Sequence, residues 1–422
     1  MKERKKDMKI KLGIVGAGFI ADFHARALTQ VRDVEVTGIV SRTRWKAERF
    51  ASFVKSHRLG EAIVYESVGE MADAVDAIAV YVPNFVKVDI VEEIVAAVEK
   101  GAQVKGIIAE KPLARNMREA RRLVELVRKA GLKTAYFENQ IFMKALNKQR
   151  EQLEVLQKEM GPLHFVRSAE EHAGPHEPWF WDPERQGGGV LSDMGCHSIA
   201  VGWYALTPLG KAPNFLVPLS VSAECALLKW GLPTWREKLR DKFGVDYAKT
   251  PAEDFTTGIV TFQNPETGQI VKAQFTDSWM YEKQGLRLYM DGVGPGYAFE
   301  INSLLSPLQI FIGDEASQAV ADAEMALEKS TASRGLLVVQ PNEPDLYGYP
   351  DENADAVRAF REGRDGLLPW EYGLDIVRLV MAAYMSAEEG RIIDLTNPAD
   401  LKALETYVPL IQQGKGHGVL AR

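Results

Sequence analysis

Cysteine is nearly missing from this chain. Only Cys196 and Cys225 occur among 422 residues, too few for the disulfide framework of a small secreted scaffold, so a reducing cytoplasm is the expected setting. Long apolar runs are missing as well: no stretch reaches the 18 or so uninterrupted apolar residues of a membrane-spanning helix. Nor is positive charge in excess. The formal net charge is -7 and the isoelectric point is near 5.7, whereas a nucleic-acid-binding domain shows a basic face and a high isoelectric point. The one basic stretch, the opening MKERKKDMK, has no apolar h-region behind it and reads as a frayed, solvated tail rather than a secretory signal.

What is present is material for a core: 46% of residues are hydrophobic and 26% charged, the composition of a soluble globular protein. The length calls for two domains at roughly 150 residues or more each. Up to about residue 140, short β-branched runs alternate with helical patterns. KLGIVG, VEVTGIV, AIAVYVP, GIIAE and TAYFEN read as strands, and Gly101 and Gly131 stop two of the intervening helices. This βαβ rhythm implies a doubly wound parallel sheet, which binds ligands at the C-terminal ends of its strands. The rhythm breaks near 140–148, so the expected domains are 1–142 and 143–422. The second is an α+β domain whose signals from 217 to 340 (DFTTGIVTF, QIVKAQFTDSW, LRLYMDG, YAFEI) predict a large, mainly antiparallel sheet.

The first strand runs into G-A-G-F-I-A, residues Gly16, Ala17, Gly18, Phe19, Ile20 and Ala21, just where a helix opens. That is the context of the Rossmann dinucleotide fingerprint. Gly16 permits the tight turn, Gly18 lets backbone approach a pyrophosphate, Ala21 lets helix and strand pack closely, and free helix amides face the phosphates. About twenty residues on, where an NAD site offers an acid to the ribose 2′-OH, the sequence reads Ser41-Arg42-Thr43-Arg44. Ser41 and Arg42 suit a 2′-phosphate, so NADP is expected ahead of NAD, although Arg42 could equally stack on adenine.

Residues 187–200 read GGGVLSDMGCHSIA. Asp193 and His197 are four apart, so on an α-helix both project from one face; by themselves they read as a helix cap and a satisfied core histidine. The glycines ahead of them would let backbone lie close to a flat ligand. Glu110, Lys111 and Pro112 end the strand at 106–110, on the ligand-binding edge of the sheet. With these in view, GAGFIADFHARAL, VPN, AEKPLA and GGGVLSDMGCHSI, in that order and spacing, resemble the motifs of the Gfo/Idh/MocA oxidoreductases, the glucose-fructose oxidoreductase and inositol dehydrogenase superfamily. MDGVGPGY and MSAEEGRIIDL resemble segments of that family's second domain.

The resemblance implies a substrate pocket lined by Lys111, Asp193 and His197 beside a nicotinamide. It also implies cofactor contacts from Val82, Pro83, Asn84, Glu110 and Lys111. Many relatives carry His three residues past the Asn of VPN where this chain has Lys87, which puts the usual contacts of that position in doubt. Members oxidise a secondary alcohol of a sugar or cyclitol, or reduce the matching ketone. His197 would take the hydroxyl proton, Lys111 would hold the substrate oxygen, and Asp193 would position hydroxyls or the imidazole. Two other readings stay open: a redox-assisted glycosidase or isomerase that regenerates its cofactor, and a non-catalytic regulator that merely keeps the nucleotide fold. In EEHAGPHEPWFWDPERQ, Glu170, His172, Trp179 and Trp181 are candidate substrate contacts, with core anchoring the competing role for the tryptophans. His172 and His176 are four apart, but Gly174 and Pro175 break any helix that could present both, so no metal site is expected. An open antiparallel sheet needs its apolar face covered, and the resemblance implies homodimers or homotetramers.

Overall fold

The computed structural model describes residues 9–282, 285–305, 308–312, 335–339 and 342–420; apart from Lys9 the basic opening stretch lies outside them. The chain divides into two compact units. One comprises Met1–Ala114, Arg118–Met143 and Tyr347–Asp375, the other Arg115–Met117, Lys144–Leu346 and Ile376–Arg422. The expected single cut after residue 142 therefore misses the return of 347–375 to the first unit. Nothing local announces that return, because helix Tyr349–Glu362 reads like any other amphipathic helix until its partner surface is known.

The first unit holds β1 (Ile10–Val15), β2 (Val34–Val40), β3 (Ile63–Val64), β4 (Ala77–Val80), β5 (Gly106–Glu110) and β6 (Lys133–Phe137). They form one parallel sheet in the order β3-β2-β1-β4-β5-β6, the doubly wound arrangement whose crevice opens where the order reverses beside β1. Every residue of β4 and β5 is buried, as a sheet covered on both faces requires. Edge strand β3 has two residues, too few to carry a period. Phe360, from the returning helix, joins this core; its ring lies 2.7 Å from where a Cβ on Gly106 would stand. Burying that ring stabilises the unit by about 2–3 kcal/mol.

The second unit contains β7 (Phe165–Glu171), β8 (Val217–Ala226), β9 (Phe255–Gln263), β10 (Ile270–Ser278), β11 (Arg287–Gly294) and β12 (Tyr297–Asn302). To these it adds the antiparallel pair β13 (Leu308–Ile312) and β14 (Gly335–Val339), and the short β15 (Ile393–Asp394). Seven of them make a sheet in the order β12-β11-β7-β10-β9-β8-β15, antiparallel throughout except for β7 against β10. Helix Cys196–Leu206, buried over its whole length, packs on β7 and β10. Gly202 allows that approach: a Cβ there would come within 2.8 Å of the Ala273 methyl. Among the described residues no helix is long and apolar enough to cross a membrane.

Candidate active site

In the first unit, Gly16 leaves β1 at φ +111°, and a Cβ there would lie 2.1 Å from the Tyr81 carbonyl oxygen. Only glycine fits this junction of β1 and β4. Gly18 differs, since nothing lies within 4 Å of where its Cβ would be. Its lack of a side chain leaves open space beside the start of helix Phe19–Leu28, whose N-terminus no side chain caps. Ala17 and Ala21 are buried, while Phe19 is exposed. After β2, Ser41 is half-buried and Arg42 exposed; Arg44 is engaged by Glu48 and Glu66. Val82 and Pro83 are half-buried at the end of β4, and Asn84, buried, opens a 3-10 turn.

Glu110 ends β5 inside a buried polar chain. Its Oε1 meets His24 Nε2 at 2.7 Å, and its Oε2 accepts the Lys111 backbone N–H at 2.9 Å. The Asn353 amide nitrogen, also donating to the Tyr349 carbonyl, lies 2.9 Å from His24 Nδ1. This makes Nδ1 the acceptor and places the ring proton on Nε2, toward Glu110. Tyr81 stacks on the imidazole at 4.2 Å between centroids. Burial pushes the Glu110 carboxyl up, but the His24 hydrogen bond and the Lys111 and Lys87 cations outweigh it and leave the group below the usual carboxylate range. Nearby Glu352 goes the other way, pushed well up by burial and then by Glu110 and Glu138. The two neighbouring carboxyls are thus pushed in opposite directions. The ligand atoms of His24, Glu110 and Glu352 lie within 4.8 Å of one another, but a proton on His24 Nε2 occupies the lone pair that a metal would need.

Lys87 resolves the doubt about its position. It is 1% exposed, and its Nζ donates to the Glu110 carbonyl at 2.6 Å and to the Pro112 carbonyl. It is a strut under the Glu-Lys-Pro turn, which leaves Lys111, half-buried, at the strand end.

In the second unit the helix carrying the Asp-His pair departs from expectation. Leu191–Gly195 forms a π-helical turn, and the α-helix begins only at Cys196. Asp193 thus sits on the π turn and His197 on the α-helix, rather than both on one regular face. Such turns concentrate at functional sites. Asp193 accepts a hydrogen bond from the Trp279 indole at 3.3 Å. His197 Nε2 lies 3.9 Å from Glu170 Oε2, on the end of β7. Next along the helix, Ser198 donates to Asp277 at 2.6 Å; burial first, and the nearby Glu170 charge among the further causes, push the Asp277 carboxyl well up. His172 Nδ1 accepts the Gly174 N–H at 2.9 Å.

Two expectations change here. Trp181 is 1% exposed, lies among Trp230, Trp279, Phe243 and Tyr247, and donates its indole N–H to the Pro175 carbonyl at 3.1 Å. With no free face it anchors the core and supports Trp279, which in turn holds Asp193. Trp179 is half-buried and stacks on Phe180. The glycines 187–189 make room for the protein's own packing. Cβ atoms on them would meet the Arg115 Cβ at 2.8 Å, the Tyr384 hydroxyl at 2.0 Å and the Glu253 carbonyl oxygen at 2.2 Å respectively.

Comparison with known proteins gives this arrangement a context. A sequence model described as "Oxidoreductase family, NAD-binding Rossmann fold" matches residues 10–137, and one described as the GFO/IDH/MocA C-terminal domain matches residues 152–292. The chain belongs to the Gfo/Idh/MocA oxidoreductase family. It is 27% identical over 202 residues to glucose-6-phosphate 3-dehydrogenase of Bacillus subtilis, covering 46% of this chain and 53% of that enzyme. The match therefore spans about half that relative's length. It is 26% identical over 401 residues to D-glucoside 3-dehydrogenase of Escherichia coli, covering 94% and 100% of the two chains. The structure of GenD2 from gentamicin A biosynthesis, in complex with NAD, superposes with a TM-score of 0.71 at 22% identity over 92% of this chain and 97% of that one, which shows the shared fold.

A Gfo/Idh/MocA nucleotide domain binds a nicotinamide dinucleotide, and the residues present fit one: Gly18 has space that no packing explains, beside an uncapped helix N-terminus. Sequence reasoning missed His24, Tyr81, Asn353 and Glu352 behind Glu110, and Trp279, Glu253 and Tyr384 behind Asp193. His24 carried a faint signal, a histidine among the otherwise apolar buried residues of its helix. The others come from distant parts of the chain.

Proposed function

We propose that this family member oxidises a secondary alcohol of a sugar, glycoside or cyclitol, or reduces the matching ketone. The observation that carries the reading is the buried set Glu170 on β7, His197 on the helix after the π turn, and Asp193 on that turn, held there by Trp279. The names of the Bacillus subtilis and Escherichia coli relatives, both sugar 3-dehydrogenases, support it. When bound, the nicotinamide accepts or returns the hydride at the carbinol carbon. His197 Nε2 takes the hydroxyl proton, Glu170 stabilises the resulting imidazolium, and Asp193 accepts hydrogen bonds from substrate hydroxyls. Lys111 stabilises negative charge on the substrate oxygen. The Glu170 carboxylate beside His197, with buried Asp193 one turn earlier in the chain, suits neutral polyols better than phosphorylated sugars.

NADP is the proposed preference. Arg42 is exposed at the end of β2, makes no ion pair among the described residues, and no carboxylate stands beside it in sequence to receive a ribose 2′-OH. The protein is further proposed to be a cytoplasmic homodimer or homotetramer, with a second copy over the sheet face that exposes Ile259 and Ile270; sedentary monomers in analytical ultracentrifugation would contradict this. The test of the reaction is a screen of glycosides and cyclitols with both cofactors. Reduced nicotinamide should accumulate one for one with ketone. Glycoside cleavage with no net change in cofactor would instead favour the redox-assisted glycosidase.

A further inference from the structure

The turn that leads into Asp193 is held from behind by a residue that does not face the reacting groups. Glu253, directly ahead of β9 and fully buried, uses one carboxyl oxygen three times. Its Oε1 accepts the Gly189 N–H at 2.9 Å, the Leu191 N–H at 3.1 Å and the Tyr384 hydroxyl at 2.6 Å. The Glu253 carbonyl takes the Val190 N–H at 3.0 Å, and Tyr384 Oη takes the Ser192 N–H at 3.1 Å. Four successive amides at the start of a helix, which would otherwise look for water or ligand, are thus claimed by two side chains and one carbonyl. The absence of Cβ atoms at Gly188 and Gly189 makes the grip possible. Glu253 Oε2, by contrast, has no hydrogen-bond partner.

We propose that Glu253, acting with Tyr384, is the positioning residue of the Asp193–His197 arm: as a carboxylate it clamps residues 189–192, and on protonation it loosens them. The inference rests on the reading of Asp193 and His197 as the chemical groups. A carboxylate accepts three donors more strongly than a neutral acid does, and the proton would have to go on Oε2, where it finds no acceptor. The change falls at a useful pH. Burial, only partly offset by the Tyr384 and backbone hydrogen bonds, pushes the Glu253 carboxyl up to about 7. The titratable groups facing it are Tyr384, Cys225 and Tyr247, all neutral acids that burial pushes up further. Its neighbour Asp254 is itself held by the amides of Leu228, Lys229 and Trp230.

The test is hydrogen exchange of the 186–194 backbone between pH 6 and 8, corrected for intrinsic rates, alongside kcat and KM over the same range. In the unmodified protein, protection of this segment should rise with pH around 7 and kcat should rise with it, with KM for the cofactor unmoved. E253Q should remove the pH step in protection, speed exchange about tenfold and lower kcat. Tyr384→Phe removes one donor from the carboxylate, so it should keep the fold and move the step to higher pH. A protection step that survives E253Q, or one that Tyr384→Phe leaves in place, overturns the clamp. If protection responds as stated while kcat does not, the clamp stands and it is the chemical role of Asp193 and His197 that fails.

Discussion

Gly188→Ala distinguishes the two roles available to the triple glycine. If the glycines clear space for substrate, a methyl at 188 raises KM and leaves stability alone. The packing says otherwise. Gly188 has φ +146°, and an added Cβ would stand 2.0 Å from the Tyr384 hydroxyl and 2.6 Å from its ring carbon. That hydroxyl donates to Glu253 and accepts from Gly189 and Ser192, so it can retreat only by giving up those bonds. Losing a hydrogen bond to a charged group costs about 1.5–3 kcal/mol and each neutral one about 1 kcal/mol. Forcing a non-glycine residue into this backbone region adds about 1–3 kcal/mol. The total is about 4.5–8 kcal/mol, a large part of a typical folding free energy. In a unit of this size that lowers the melting temperature by roughly 10 °C or more. Tryptophan fluorescence, to which the cluster of Trp181, Trp230 and Trp279 in this unit contributes, would follow it without any ligand. A variant that melts within about 2 °C of the parent while its substrate KM climbs would refute the packing argument.

Three further outcomes follow from separate parts of the molecule. Lys87→Met keeps the apolar stem but strands two buried carbonyls, those of Glu110 and Pro112, and should cost about 2–4 kcal/mol in urea unfolding; a loss below about 1 kcal/mol counts against the strut. Arg42→Ala should weaken NADP about tenfold and leave NAD nearly unchanged, since a guanidinium is matched to the extra phosphate; equal losses for the two cofactors would mean adenine stacking instead. The third concerns stability against pH. A carboxyl at about 7 in the folded protein and about 4.3 when unfolded holds its proton more tightly in the native state. That contribution is fully present below the unfolded value and is lost as pH rises through 7, a fall of about 3–4 kcal/mol for this group. Glu253→Gln should flatten that slope between pH 4.5 and 7, and a slope unchanged in the variant would show that other groups produce it.

The nucleotide-binding half was legible because its signals are local. A tight turn needs Gly16, strands buried on both faces read as unbroken apolar runs, and glycine stops helices at 101 and 131. What escaped is set by contacts between distant residues. Glu352 and Asn353 reach Glu110 and His24 only because a helix more than 200 residues further on returns to the first sheet. The glycines at 187–189 look the same in sequence whether a ligand or Tyr384 lies against them, and so does Trp181 whether its face is free or enclosed by other rings. A π turn shares its side-chain types with an α-helix, so the spacing of Asp193 and His197 could not reveal it.

The central claim is hydride transfer at a carbinol carbon with His197 as base and Lys111 as the holder of the oxygen. It is tested most directly by single-turnover nicotinamide absorbance with a glycoside substrate, in the parent, His197→Ala and Lys111→Ala proteins, with cofactor affinity measured separately. Each substitution should slow hydride transfer at least about a hundredfold while cofactor affinity stays within a few-fold. Near-normal transfer in both variants would contradict the assignment.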